Sequence, residues 1–285
     1  MRVSTNTVGS LLDLYRAELA PLFGDPEARA IARTVFRHAF GWDMGELELR
    51  RPAALSESEL LKVYAPLTRL RKGEPLQYVL GHAWFMGMEV QVAPGVLIPR
   101  PETEELVDLI RQDGRTAQRI IDIGTGSGCI ALALKRLYPR SQVWAVDVSE
   151  EALAIARRNG ATQGLDVQWS KLDVLDATAS LPDGLDLVVS NPPYVPRSEE
   201  PALAAHVRGY EPHLALFVDD VDPLVFYRAI ARKAWDALVP GGALWFEGHH
   251  HHAAAVGAML VRSGYDTVSV LNDLSGSSRF IHAIR

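Results

Sequence analysis

The chain has a single cysteine, Cys129, among its 285 residues, which excludes a disulfide framework and a thiolate metal cluster. Long apolar runs are missing too. The longest, Cys129–Leu134, is six residues, against the roughly 18 that a membrane-spanning helix requires. Asp13 interrupts the first apolar stretch, so the N-terminus does not read as a signal peptide. Nor is there a positive excess: 29 Lys and Arg face 35 Asp and Glu, a net charge of −6. Residues 1–75 hold 11 basic against 10 acidic side chains and the remainder 18 against 25, so the acidity lies in the larger part. Proteins that track a nucleic-acid backbone present a basic face, so a direct nucleic-acid substrate is not expected. No internal repeat or low-complexity tract occurs apart from four histidines at 249–252. What is present, 48% hydrophobic and 22% charged residues, is the composition of an ordinary globular protein. A cytoplasmic location without membrane attachment is the expectation.

Hydrophobic periodicity divides the chain. Residues 1–75 read as a small helical bundle. Leu11, Leu12, Leu14, Tyr15 and Leu19 share one helix face, and Ile31, Val35, Phe36, Ala39 and Phe40 share another. Ser56 with Glu59 makes a capping-box start for a third helix. Residues 76–100 change character, and Trp84–Val92 suggests a hairpin or extended linker closed by Pro94-Gly95 and Pro99. From 101 to 285 strands alternate with helices: strands near 119–123, 142–148, 166–172, 185–190 and 243–247, helices near 103–112, 127–137, 150–161, 223–238 and 252–263. Two last segments, 265–271 and 279–284, have no helix between them and predict an antiparallel hairpin at the sheet edge. The fold class is α/β: a mostly parallel sheet with helices on both faces. Residues 195–222 read as a long polar connection, a length often used for functional lids.

Two motifs carry chemistry. In the first, Ile120-Ile121-Asp122-Ile123 runs into Gly124-Thr125-Gly126-Ser127-Gly128 and then a helix. Glycines there permit tight turning and close backbone approach to a ligand. Asp147 ends the next strand, 19 residues after Gly128, where a carboxylate can bind both hydroxyls of a ribose. Asp122 would repel a pyrophosphate, which disfavours a dinucleotide and suits S-adenosylmethionine. Asp122 could orient the loop or pair with the methionine amine. Asp173 and Val174 end the third strand, placed for the edge and face of an adenine ring; a turn opened by Asp173 is the plainer reading. Cys129 reads as a small buried packing residue.

The second motif is Asn191-Pro192-Pro193-Tyr194, directly after the apolar run 185–189. An amide nitrogen is a poor nucleophile because its lone pair is delocalised. The Asn191 side-chain carbonyl and the Pro192 backbone carbonyl can accept its two N–H groups, orienting the lone pair and favouring pyramidalisation in the transition state. Prolines fix φ and hold the preceding residue extended, which pre-aims those carbonyls. Tyr194 can stack on the planar group. No strong general base is required, and the remainder is in-line transfer governed by positioning. The His249–His252 run does not have the i, i+4 spacing of a tight metal site, and no metal is expected.

At these residues the chain resembles the HemK/PrmC family of protein-(glutamine-N5) methyltransferases. Glu74-Pro75-Leu76-Gln77-Tyr78 with Gly81 is similar to the family's inter-domain element, and Val96-Leu97-Ile98-Pro99-Arg100-Pro101-Glu102-Thr103-Glu104 to its signature before the first catalytic helix. Glu211–Leu216 and Asp273-Leu274-Ser275-Gly276 with Arg279-Phe280 resemble later elements. The resemblance implies a Rossmann-like class I S-adenosylmethionine-dependent methyltransferase, with cofactor contacts at Gly124–Gly128, Asp147, Val174 and Asn191. It implies that Asn191–Tyr194 hold the glutamine of a Gly-Gly-Gln loop in peptide chain release factors, with residues 1–75 as the recognition domain. A sister group methylates a ribosomal-protein glutamine, and Pro101–Glu104 favours release factors. One departure stands out: His249 and His252 occupy positions where the family usually carries glycine and glutamine. Two other readings compete. A nucleic-acid amino-methyltransferase could use the same cup on a flipped base. A binding protein that has lost activity would keep the fold without methyl transfer.

Overall fold

The computed structural model describes residues 6–285, which form two compact units. The first comprises residues up to Gly81 together with Ala204–Tyr210. Its helices are α1 (Val8–Phe23), α2 (Asp25–Phe40), α3 (Met44–Leu49), α4 (Glu57–Leu70) and α5 (Leu76–Leu80). Leu11, Tyr15 and Leu19 of α1 pack with Ile31, Val35 and Phe36 of α2 and with Val63, Leu67 and Leu70 of α4. The capping box forms as its spacing predicts: Ser56 N–H donates to Glu59 Oε2 at 2.8 Å, and Glu59 N–H returns to Ser56 Oγ at 3.4 Å. Periodicity did not disclose α3 and α5, which have six and five residues, too short for an i, i+3, i+4, i+7 pattern.

The second unit, His82–Leu203 with Glu211–Arg285, opens on an antiparallel hairpin of β1 (His82–Phe85) and β2 (Met88–Gln91). Its turn residues Met86 and Gly87 have φ of 49° and 72°, the left-handed pair that matches hairpin twist. There follow α6 (Pro101–Gln112), β3 (Arg119–Ile123), α7 (Cys129–Leu137), β4 (Gln142–Asp147), α8 (Glu150–Gln163), β5 (Gln168–Lys171) and β6 (Leu185–Ser190).

Residues 195–222 are not the unstructured connection that their polarity suggests. β7 (Val195–Pro196) pairs in parallel with β8 (Phe217–Val218), and between them lie a 3-10 helix at Arg197–Ala202, α9 (Ala205–Tyr210) and α10 (His213–Leu216). None exceeds six residues, so none shows a period. The chain ends with α11 (Val225–Ala237), β9 (Leu238–Glu247), α12 (Ala253–Arg262), β10 (Asp266–Asn272) and β11 (Ser278–Ile284). β9 begins five residues before the expected 243 and carries Pro240-Gly241-Gly242 within the strand, beside a register shift against β6.

The seven-stranded sheet has the order β10-β11-β9-β6-β3-β4-β5. The β10–β11 hairpin is antiparallel at one edge, and β9, β6, β3, β4 and β5 run parallel. Ile120, Ile121, Val188 and Val189 at its centre are fully buried, as strands covered on both faces must be. The chain leaves β3 toward β4 and β5, then returns to the other side of β3 as β6. That reversal opens a crevice beyond the carboxyl ends of β3 and β6, where doubly wound sheets take ligands.

Candidate active site

Register sets the two motifs side by side. Ile123 of β3 pairs with Ser190 of β6, so the glycine loop and Asn191 leave the sheet at the same level. Ser190 Oγ–H donates to the Ile123 carbonyl at 2.7 Å and ties the two exits together. Beyond them lies a cavity of about 300 Å³. Gly124, Gly126, Asp147, Asp173, Val174, Asn191, Pro192 and Pro193 line it, joined by Leu97, Leu172, Leu214 and Phe226. Asp122, Thr125, Ser127, Gly128 and Tyr194 are not among its lining residues. A second cavity of about 360 Å³, lined by Asp113, Arg115, Tyr138 and Asp186, is at the opposite ends of the strands, away from the switch point.

The loop is held from behind. Gly124 and Gly126 have φ of 74° and 54°, in the left-handed region that glycine enters without a Cβ penalty. Gly124 and Thr125 N–H both donate to the Val146 carbonyl, at 2.8 and 3.0 Å. Asp122 is fully buried and accepts from Thr125 Oγ1 at 2.6 Å and Ala131 N–H at 3.2 Å through one oxygen. Its Oδ1 has no hydrogen-bond partner among the described residues. Burial pushes the Asp122 carboxyl up to about 7. In this structure Asp122 braces the loop.

Asp147 lines the cavity with both oxygens anchored: Oδ2 accepts from Gly126 N–H and Oδ1 from Ser149 N–H, each at 2.9 Å. Burial raises its carboxyl above the ordinary range. Each oxygen retains acceptor capacity, so the pair suits vicinal hydroxyls. Asp173 accepts from Leu175 N–H at 2.9 Å, forming the expected turn while still lining the cavity.

Asn191 belongs to a polar chain, buried at Thr103 and Glu247, that sequence reasoning did not assemble. Its Nδ2 donates to Thr103 Oγ1 at 3.3 Å, and Thr103 Oγ1–H donates to Glu247 Oε2 at 2.8 Å. Tyr194 O–H donates to Glu247 Oε1 at 3.2 Å, and Tyr227 O–H to the Glu247 backbone carbonyl at 3.2 Å. Glu247 is buried, which pushes its carboxyl up to about 7. The available signal was an acidic residue closing an apolar strand, Ala243-Leu244-Trp245-Phe246-Glu247, as Asp147 closes β4. Glu211, also buried, accepts from Ile98 N–H at 3.1 Å and from Arg100 at 2.6 Å, holding the 96–100 segment against the cavity. His249 Nδ1 accepts from His251 N–H, so the Nε2–H is the donor to Glu199 at 3.1 Å. Among the described residues no group of three or more His, Cys, Asp or Glu could hold a metal ion, and no helix is long and apolar enough to cross a membrane.

The amino-terminal unit matches the PrmC N-terminal domain over residues 11–81, and residues 101–207 match the Methyltransferase small domain. A release factor glutamine methyltransferase of Bacteroides thetaiotaomicron is 41% identical over 270 residues, spanning 95% of this chain and 97% of that protein. The chain belongs to the release factor glutamine methyltransferase family. Relatives of the same name from Geobacter sulfurreducens and Cereibacter sphaeroides are 36% and 37% identical over more than nine-tenths of this chain. Among solved structures, a Pyrococcus furiosus methyltransferase superposes with a TM-score of 0.52 at 19% identity, covering 70% of this chain and 89% of that one. A Thermus thermophilus 16S rRNA guanine-N2 methyltransferase gives 0.51 at 20% identity, covering 72% and 49%. These share the fold, the class I S-adenosylmethionine-dependent methyltransferase sheet with its antiparallel edge hairpin. The family and the fold imply S-adenosylmethionine as methyl donor, and the cavity's residues fit it. Asp147 offers paired acceptors for a ribose, Leu172 and Val174 an apolar wall for a base, and the acidic lining accommodates a sulfonium cation.

Proposed function

We propose that the chain transfers the methyl group of S-adenosylmethionine to the side-chain nitrogen (N5) of the glutamine in the Gly-Gly-Gln motif of peptide chain release factors. The observation that carries this reading is the convergence of the glycine loop and Asn191-Pro192-Pro193 on one cavity, in a chain 41% identical to a release factor glutamine methyltransferase. Gly124–Gly128, Asp122, Asp147, Asp173 and Val174 form the cofactor site, with Asp122, Thr125, Ser127 and Gly128 acting through the loop's shape. Asn191 Oδ1 and the Pro192 carbonyl accept the two N–H groups of the glutamine amide, and Tyr194, outside the cavity lining, holds the far end of the turn through its bond to Glu247. When bound, the cofactor supplies an electrophilic methyl on a sulfonium. The protein's part is to aim the amide lone pair at it and to exclude competing water. The helical residues 1–75 dock the release factor, 76–100 link them to the methyltransferase domain 101–285, and the enzyme works in the cytoplasm beside its substrate.

The test is methyl transfer from labelled S-adenosylmethionine to purified release factors and to their Gly-Gly-Gln glutamine-to-alanine variants, with DNA and RNA in parallel. Label on the factor that disappears with that glutamine is the expected result. Label on nucleic acid alone would replace this reading with base methylation, and cofactor binding without any transfer would point to another protein substrate.

A further inference from the structure

We propose that Glu247 and Thr103 are positioning residues that decide which end of the Asn191 amide faces the substrate. The proposal rests on Asn191 Oδ1 being an acceptor for the substrate amide. Asn191 carries a carbonyl oxygen and an NH₂ of nearly equal size, and sterics alone do not choose between them. A flipped amide would turn two donors on the substrate's own N–H groups and destroy the cup.

The choice is made two residues away. Glu247, at the carboxyl end of β9, is an acceptor at both oxygens when ionised. One oxygen takes the Thr103 hydroxyl hydrogen at 2.8 Å. A hydroxyl has a single hydrogen, so toward Asn191 the Thr103 oxygen can only accept. That forces Nδ2 onto Thr103, at 3.3 Å, and leaves Oδ1 at the other end. The second Glu247 oxygen takes the Tyr194 hydroxyl at 3.2 Å. One carboxylate therefore holds the first residue of the Asn-Pro-Pro-Tyr turn through Thr103 and the last one directly. Thr103 is 3% exposed and Glu247 1%, so water does not compete for the bond between them.

The groups facing Glu247 are Arg279 from β11, which is paired with Asp273, Glu102 beside Thr103 on α6, the neutral thiol of Cys129 at the start of α7, and the hydroxyls of Tyr194 and Tyr227. Arg279 favours the ionised carboxylate, whereas burial and Glu102 oppose it. A protonated Glu247 could donate to Thr103, free the hydroxyl hydrogen to turn toward Asn191, and remove the preference.

The experiment uses the full-length enzyme with Thr103→Val, which keeps the shape and removes the hydroxyl, and Thr103→Ser, which keeps the hydroxyl. Cofactor Kd is measured by calorimetry, and kcat and KM with a release factor. Thr103→Val is expected to lose about 10- to 100-fold in kcat, the cost of one buried hydrogen bond to about two, with cofactor Kd within about threefold of the wild type. Thr103→Ser is expected to recover most of that loss. The ratio of wild-type to Thr103→Val kcat should shrink as pH falls below neutrality. A wild-type kcat in Thr103→Val, an equal loss in the serine variant, or a pH-independent ratio would overturn the proposal. Failure of the wild type to methylate any release factor would instead overturn the functional reading on which it rests.

Discussion

Two carboxylic acids, Asp122 and Glu247, are withdrawn from water at the carboxyl edge of the sheet, and burial pushes both up to about 7. For Glu247 the ordinary value is 4.5, so between there and about 7 the folded protein holds a proton that the unfolded chain has released. Its contribution to stability is complete below about 4.5 and is lost as pH rises through about 7. Glu247→Gln removes that dependence. Urea unfolding at pH 5 and pH 8 should show wild type losing about 2–3 kcal/mol relative to the variant over that interval; parallel pH profiles would mean that Glu247 is ionised throughout. Two substitutions separate binding from transfer. Asn191→Ala should lower kcat by about 10²–10³-fold, the scale of a lost oriented hydrogen-bonding group at a reacting centre, while cofactor binding persists. Undiminished turnover would sink the mechanism. Asp147→Ala should weaken cofactor binding by about 10- to 100-fold, since hydrogen bonds to a charged group are worth about 1.5–3 kcal/mol. Calorimetry reads that loss directly, and an unchanged Kd would remove Asp147 from the ribose site.

Among elements, the glycine loop shows how one motif carries two constraints. Gly126 has φ of 54° and nothing within 4 Å of an added Cβ, whereas Gly128 has φ of 83° and its Cβ would meet the Trp169 ring at 2.9 Å and Ala156 at 3.1 Å. Gly126→Ala should therefore cost only the left-handed backbone penalty of about 1–2 kcal/mol, with its effect concentrated on cofactor binding because Gly126 lines the cavity. Gly128→Ala adds overpacking and should cost about 2–4 kcal/mol, visible as a lower urea midpoint even without cofactor. Equal midpoints for the two variants would contradict the packing against Trp169. The strands 119–123 and 185–190 were legible to the residue because their apolar runs are bounded by turn chemistry. The 195–222 segment was not, since its strands and helices are too short to repeat a period and owe their form to tertiary neighbours such as the β7–β8 pairing.

For the whole molecule, charge and cofactor linkage govern behaviour. The part that contains the cavity holds 18 basic against 25 acidic residues, a net of −7, which suits a sulfonium donor and discourages a polyanionic substrate. A ligand bound only by the folded state stabilises it by about 2.7 kcal/mol at a hundredfold excess over Kd. Thermal unfolding should therefore shift upward with S-adenosylmethionine, and no shift at that excess would argue against the cofactor site.

The sequence by itself determined the parts: which of the longer apolar runs become strands, where glycine allows the backbone to turn left-handed, and that Asn191 follows a buried strand into two prolines. Those are local properties, written in propensity, periodicity and φ. Tertiary structure alone decided that Thr103, Asn191 and Glu247 meet, since 88 residues separate the first pair and 144 separate Thr103 from Glu247. Their meeting depends on the order in which α6, β6 and β9 are laid beside one another. A hydrogen-bond chain among buried polar groups leaves no periodic trace, because its partners are chosen by the topology that excludes water around them.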